Sequence, residues 1–313
     1  MKIESFFKKT RVDIEKRLRD RLKQYDRRAR LAHFLNGGKR LRPLLSVLAF
    51  RACGGDDKDY GRAIDLAVAI ELQHSASLIH DDIIDGDLER RGKPSYHRAF
   101  GVEDALLEGH KLIVLGFKGV LNHNKEVIET LFDVWSQALA GETEDIEARQ
   151  KNLADLIVSI DRLYFDTMLR KTASLFAGAA KLGCQEAGAS RELQNVFWEY
   201  GKNIGLAYQL SDDCVDVNNG GPEPLPIAWI INQIDEKTKK TFINAVDHDG
   251  LSAAEAFSRL NVDARSLFRK EIRRIQNKAE TLARGKKIPT TEFRPLLLEA
   301  PKYIVESGGG YGN

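Results

Sequence analysis

The chain has 313 residues, with 48 Lys and Arg against 46 Asp and Glu, for a formal net charge of +2. That balance excludes a dominant attraction to nucleic acid, and no uncharged apolar run reaches membrane-spanning length. Cys53, Cys184 and Cys214 show no metal-ligand spacing and suit a reducing, cytoplasmic setting, and Met1-Lys2-Ile3-Glu4-Ser5 leads into a charged stretch rather than a signal peptide.

Apolar spacing predicts helices almost throughout, in a single all-α domain over residues 1–306. A charged amphipathic helix covers 1–33. An apolar helix over 40–53 stops at Gly54-Gly55, and a long helix over 61–86 ends at Gly86. Helices follow over 102–122, 126–141, 150–183 and 190–217, until Gly220-Gly221-Pro222 breaks the pattern. Helices over 225–247, 252–261, 262–285 and 290–306 complete the domain, and 307–313 reads as a flexible tail.

Two aspartate clusters share one design. Asp81-Asp82-Ile83-Ile84-Asp85 and Asp212-Asp213-Cys214-Val215-Asp216 both read D-D-x-x-D within helical spacing. Residues four apart share a helix face, so Asp81 goes with Asp85 and Asp212 with Asp216. Two such faces turned toward each other are tolerable only with cations in the gap. Hard oxygen ligands, few per ion, suit Mg²⁺ bridged to substrate phosphates. The pattern points to a diphosphate held between two helices by magnesium.

Basic residues accompany the clusters. Asn36-Gly37-Gly38-Lys39-Arg40-Leu41-Arg42-Pro43 joins the first helix to the second. Its glycines let the backbone approach a ligand, and Lys39 and Arg42, one turn apart, can clamp a phosphate. Alone, the stretch reads as a solvated helix start. Arg90 and Arg91 point apart and can serve two anions; alone, they read as surface charge. Lys171 borders a run of small residues to Ala180, where it can reach solvent or a phosphate. His74, two turns before Asp81 on the same face, reads by itself as a hydrogen-bonded core residue. Taken together, the groups imply two anionic substrates, one bound through metal and one by cations directly.

These motifs, in this order, resemble the trans-isoprenyl diphosphate synthases (polyprenyl synthetases). The resemblance lies in GGKRLRPLL at 37–45, ELQHSASLIHDDIIDGDLERRGKPSYH at 71–97, KTASLFAGAA at 171–180 and GLAYQLSDDCVDV at 205–217. It implies an isoprenoid-synthase-type bundle of long helices around a deep central cavity, usually as a homodimer. Asp81, Asp85, Asp212 and Asp216 would bind metal, three Mg²⁺ per active site, with Asp82 and Asp213 supporting. Arg90 and Lys171 would hold an allylic diphosphate. Lys39, Arg42, His74 and Arg91 would hold isopentenyl diphosphate. Thr172, Tyr208 and Gln209 would line the reacting centre. The implied reaction is head-to-tail (1′-4) condensation of the two substrates with loss of pyrophosphate.

The chain also departs from the family pattern. The lysine-bearing loop that usually follows the second cluster is replaced by Val217-Asn218-Asn219-Gly220-Gly221-Pro222-Glu223-Pro224. A usual Gly-Asp is Gly109-His110, a usual Gly-Gln is Gly141-Glu142, and the usual basic C-terminal tail is missing. These differences keep open a weak or regulatory subunit of a hetero-oligomer. A terpene cyclase of the same fold would not need Lys39, Arg42 and Arg91. Small Ala76 and Ser77 lie one turn before Asp81 and form the expected floor for the growing chain, giving geranylgeranyl size or longer. Phe50 or Tyr164 is the alternative floor.

Overall fold

The computed structural model describes residues 1–23, 25, 30–35, 37–221, 224–247 and 250–309. It divides into two compact units. The first comprises Met1–Leu131, Ala179–Gln194 and Lys287–Leu296; the second comprises Phe132–Gly178, Asn195–Lys286 and Leu297–Asn313.

In the first unit, helix α1 (Ile3–Leu22) buries Ile3, Phe6, Phe7, Ile14, Leu18 and Leu22 along one stripe, the spacing of an amphipathic helix. After α2 (Arg30–Leu35) and α3 (Leu41–Ala52) comes α4 (Tyr60–Ile84). Helix α4 is apolar on most of its circumference and packs against α1, α3 and α6 (Val102–Val120). It carries the first aspartate cluster. A two-stranded hairpin, β1 (Glu89–Arg90) with β2 (Lys93–Pro94), and the short α5 (Tyr96–Phe100) connect α4 to α6.

The second unit contains α8 (Leu153–Ile157), α9 (Ile160–Met168) and a π turn, Leu169–Ala173. It also contains α12 (Pro224–Asn232), α13 (Glu236–Asp247), α14 (Ala253–Arg259) and α15 (Ala264–Ala283). Buried α12 packs on α8 and α9. Its core is aromatic: the Trp229 ring lies 5.2 Å from Phe268 and 5.7 Å from Tyr164. Helices α7 (Lys125–Arg149), α10 (Ser174–Glu186), α11 (Arg191–Asn218) and α16 (Arg294–Gly309) complete the order. Among the described residues, no helix is long and apolar enough to cross a membrane.

The helix pattern matches the sequence reading, with breaks where polar caps intervene. The helix expected over 1–33 is two, α1 and α2. Helix α7 runs on to Arg149, and the single helix expected over 150–183 is instead α8, α9, the π turn and α10; Asn152 caps α8, its side chain accepting from the Asp155 backbone N–H at 2.9 Å. The one expected over 225–247 is split at Asp235, whose Oδ1 accepts from the backbone N–H of Lys237 and Thr238 at 3.1 Å each. Of the expected tail, residues 307–309 belong to α16, while 310–313 lie outside the described residues. The hairpin at 89–94 was not expected. Its turn residues, Arg91 and Gly92, have φ of 54° and 70°, the positive values of a type I′ turn.

Phe268 is fully buried. Phe268→Ala should cost about 3–5 kcal/mol, read as a lower denaturant midpoint; a change within a few tenths would contradict this description of the core.

Candidate active site

Each aspartate cluster is sorted by depth. In the first unit, Asp81 is partly exposed and Asp85, the C-cap of α4, is exposed, whereas Asp82 is fully buried. Asp82 Oδ1 accepts a short hydrogen bond from Arg90 Nε, and Arg90 Nη2 also lies 3.7 Å from Asp87. Burial pushes the Asp82 carboxyl up, and Arg90 pulls against that shift. Asp82 thus ties β1 to α4. Arg90, expected on an allylic diphosphate, is also a counter-ion for this buried carboxylate.

A cation cluster surrounds His74. Arg42 Nη1 stands 3.0 Å from His74 Nε2. Burial holds the imidazole well below its usual range, reinforced by Arg42, Arg91, Arg90 and Arg40. A neutral ring that accepts from Arg42 at Nε2 carries its proton on Nδ1, and buried Nδ1 has no hydrogen-bond partner among the described residues. His74 therefore presents an unused donor beside Arg42 and within the field of Arg91, Arg90 and Arg40, and a donor next to Arg42 and Arg91 suits an anion. Lys39 is exposed, and Arg91 sits at the hairpin turn. Of the expected floor residues, Ala76 is fully buried, and Ser77 Oγ donates to the His74 carbonyl at 2.9 Å.

In the second unit, α11 carries Tyr208, Gln209, Asp212, Asp213 and Asp216. Asp213 is the buried member. Its Oδ2 accepts a short bond from Tyr164 Oη, and its Oδ1 accepts from Gln209 Nε2 at 2.8 Å. Gln209 Oε1 in turn accepts from Thr172 Oγ1 at 2.7 Å. Thr172, Gln209, Asp213 and Tyr164 form one hydrogen-bonded chain, and Tyr164, an alternative floor in the sequence reading, is its anchor. The Tyr208 ring lies 5.2 Å from Phe176.

Lys171 and Thr172 sit on the π turn. A Cβ on Gly141 of α7 would lie 2.2 Å from the Lys171 backbone nitrogen, so this approach requires glycine. Lys171 Nζ contacts Asp145 at 2.6 Å and Glu142 at 3.1 Å. The two carboxylates outweigh burial and raise the ammonium above its usual range. Glu142, at the usual Gln position, therefore competes for the lysine expected to hold a diphosphate. Asp145 was not anticipated as its partner. Only five residues separate α11 from α12; of these, 222–223 lie outside the described residues. His110 on α6 places its ring 5.3 Å from that of His80 on α4.

Among the described residues, no three or more His, Cys, Asp and Glu are gathered as a metal group. Each cluster instead supplies two carboxylates one helical turn apart and less buried than their neighbour. That donor set fits Mg²⁺, which keeps waters and takes substrate phosphate oxygens.

The pattern described as polyprenyl synthetase matches residues 27–223. The chain belongs to the polyprenyl synthetase family. Geranylfarnesyl diphosphate synthase from Methanosarcina mazei is 36% identical to this synthetase-family chain over 181 residues, 58% of each. The chain thus spans little more than half the length of the curated relatives it matches. The solved geranylgeranyl pyrophosphate synthetase of Pyrococcus horikoshii is 28% identical with a TM-score of 0.80, covering 97% of this chain and 98% of that one. A decaprenyl diphosphate synthase from Rhodobacter capsulatus superposes with a TM-score of 0.84 over 98% of both chains at 23% identity, a likeness of fold. The chain has the all-α isoprenoid synthase fold expected from its sequence. The family generally uses a divalent metal.

Burial raises the Asp213 carboxyl from 3.8 to about 7, with Asp212 and Asp216 adding to the shift and Tyr164 and Gln209 opposing it. The folded state holds this proton to higher pH than the unfolded chain, so the group favours folding at low pH. That contribution is lost as pH rises from 3.8 to about 7. In metal-free buffer, the melting temperature of wild type relative to Asp213→Asn should fall across this window; a flat difference would contradict the shift.

Proposed function

We propose that the protein condenses isopentenyl diphosphate with an allylic diphosphate, head to tail, giving an all-trans prenyl diphosphate of geranylgeranyl size or longer and pyrophosphate. The observation that carries this reading is on α4: the guanidinium cluster at His74 and the exposed carboxylates at Asp81 and Asp85 share one helix. From His74 to Asp81 is about 10 Å along the axis. An anion site that uses cationic side chains rather than metal, next to a carboxylate edge, fits two diphosphates bound in different ways. A terpene cyclase needs only one.

In this reading, Lys39, Arg42, Arg91 and the Nδ1–H of His74 hold isopentenyl diphosphate. Arg90 and Lys171 hold the allylic diphosphate, with Asp81 and Asp85 from one cluster and Asp212 and Asp216 from the other coordinating Mg²⁺, three ions in all. Magnesium bound there would withdraw charge from the leaving diphosphate. The side-chain oxygens of Thr172 and Gln209 stabilise the allylic cation by their dipoles. The double bond of isopentenyl diphosphate attacks that cation, and the departing pyrophosphate takes the released proton. The site must exclude water, which would quench the cation.

Both units would belong to one catalytic domain, with Ala76 and Ser77 as floor for the growing chain. The relatives named for geranylfarnesyl and geranylgeranyl products support this length. We also propose a homodimer. Leu107, Val114 and Leu121, one heptad apart on or just beyond α6, are 66%, 62% and 66% exposed, a stripe that fits a second copy. Three free cysteines support a cytoplasmic setting. The lysine-free connection after Asn218 and the Glu142–Lys171 pair favour a second reading, a weak or regulatory subunit of a hetero-oligomer.

Purified protein should be incubated with isopentenyl diphosphate and each of dimethylallyl, geranyl and farnesyl diphosphates, and the dephosphorylated alcohols chromatographed. Elongated products from the lone chain support the first reading; none at saturating Mg²⁺ supports the second. Ala76→Phe should shorten the product, whereas an unchanged length would refute the floor.

A further inference from the structure

Arg40 lies between the two cations expected to clamp a phosphate, Lys39 and Arg42, yet its own side chain is buried in the protein. Its side chain is 1% exposed. Each guanidinium nitrogen has its own acceptor: Nε donates to Glu15 Oε1 at 2.9 Å, Nη1 to Glu71 Oε1 at 2.6 Å and Nη2 to the Leu35 carbonyl at 2.5 Å. These partners come from α1, α4 and α2. The backbone at Arg40 is left-handed, with φ of 57° and ψ of 29°, a conformation that a residue with a side chain keeps only when its surroundings impose it.

The loop is built around this group. A Cβ on Gly38 would lie 2.0 Å from Arg40 Nη1 and 3.3 Å from Arg91 Nη1, so the main chain of residue 38 rests on the Arg40 guanidinium beside that of Arg91. The Lys39 carbonyl accepts from Arg11 Nη2 at 2.8 Å. Glu71 stands one turn before His74, the partner of Arg42, on the same helix. Arg40 therefore fastens the Lys39–Arg42 segment to the helix that bears His74 and Asp81. Its charge faces two carboxylates, so it adds no net attraction for an anion.

We propose that Arg40, locked by Glu15 and Glu71, is a positioning residue for a metal-independent diphosphate site at Lys39, Arg42 and Arg91: it sets the main chain between these cations without touching the ligand. This deepens, and rests on, the assignment of those three cations to a diphosphate. A lysine cannot replace Arg40, because a single ammonium does not span three acceptors held in a planar fork.

The test is calorimetric titration of inorganic pyrophosphate into the full chain in chelator, with circular dichroism to establish the folded fraction. Wild type should bind, and Arg42→Ala should lose binding. Arg40→Met should bind about tenfold more weakly, as when an outer-shell partner is lost. That variant strands buried Glu71 and risks unfolding, so Glu15→Gln, at a partly exposed carboxylate, is the second variant. It removes a negative charge near the cations, so Coulomb attraction alone predicts tighter binding, whereas positioning predicts weaker binding. Weaker binding by folded Glu15→Gln supports the proposal. Equal or tighter binding overturns it, as does unchanged affinity in folded Arg40→Met or no binding by wild type. A wild type that binds, is weakened by Glu15→Gln and yet turns over no substrate supports the positioning role while contradicting the condensation.

Discussion

A carboxylate can leave water only where hydrogen bonds or a cation replace its hydration, and this constraint organises both aspartate clusters. In each, the second aspartate goes inward and bonds to protein: Asp82 through Oδ1 to Arg90, and Asp213 through both oxygens to Tyr164 and Gln209. The first and last aspartates, Asp81 with Asp85 and Asp212 with Asp216, are left on the less buried side of their helices. Inward members fix helix and hairpin; outer members keep negative charge where a hydrated cation can reach it. The same five-residue pattern thus supplies both support and candidate ligands.

Positive charge is divided in a similar way. Arg40 and Arg90 face buried or partly buried carboxylates, and Lys171 is held by Glu142 and Asp145. Around His74, burial first and the guanidinium groups second keep the ring neutral. Buried ion pairs do not by themselves add much stability, because desolvation offsets attraction. Their value here is geometric: they fix which cations can meet a substrate. Glu142 is the exception, since it draws on a cation expected to bind a diphosphate.

Much of this could be read from the sequence, because the governing rules are local. The helix periodicity of α4 and α11, the i, i+4 pairing of Asp81 with Asp85, and the placement of His74 two turns earlier all follow from 3.6 residues per turn. Asp82 and Asp213, a hundred degrees around the helix from their neighbours, could have been assigned inward on the same grounds. The caps at Asn152 and Asp235 were also legible, as polar residues that open new helices. Other features depend on distant chain. The π turn at 169–173 is met closely by Gly141, and the partners of Lys171 lie on α7. The hairpin turn uses Arg91-Gly92 rather than the Asn-Gly or Asp-Gly that signals a type I′ turn. No local pattern announces that Arg40 faces inward while Lys39 is exposed.

In the proposed reaction the outer aspartates of both clusters would hold one diphosphate through magnesium. Calorimetric titration of pyrophosphate with and without Mg²⁺ tests it most directly, using wild type, Asp81→Asn and Asp212→Asn. The account predicts a magnesium-dependent binding step in wild type that either substitution removes. A wild type with no such step, or a step that survives both substitutions, would contradict it.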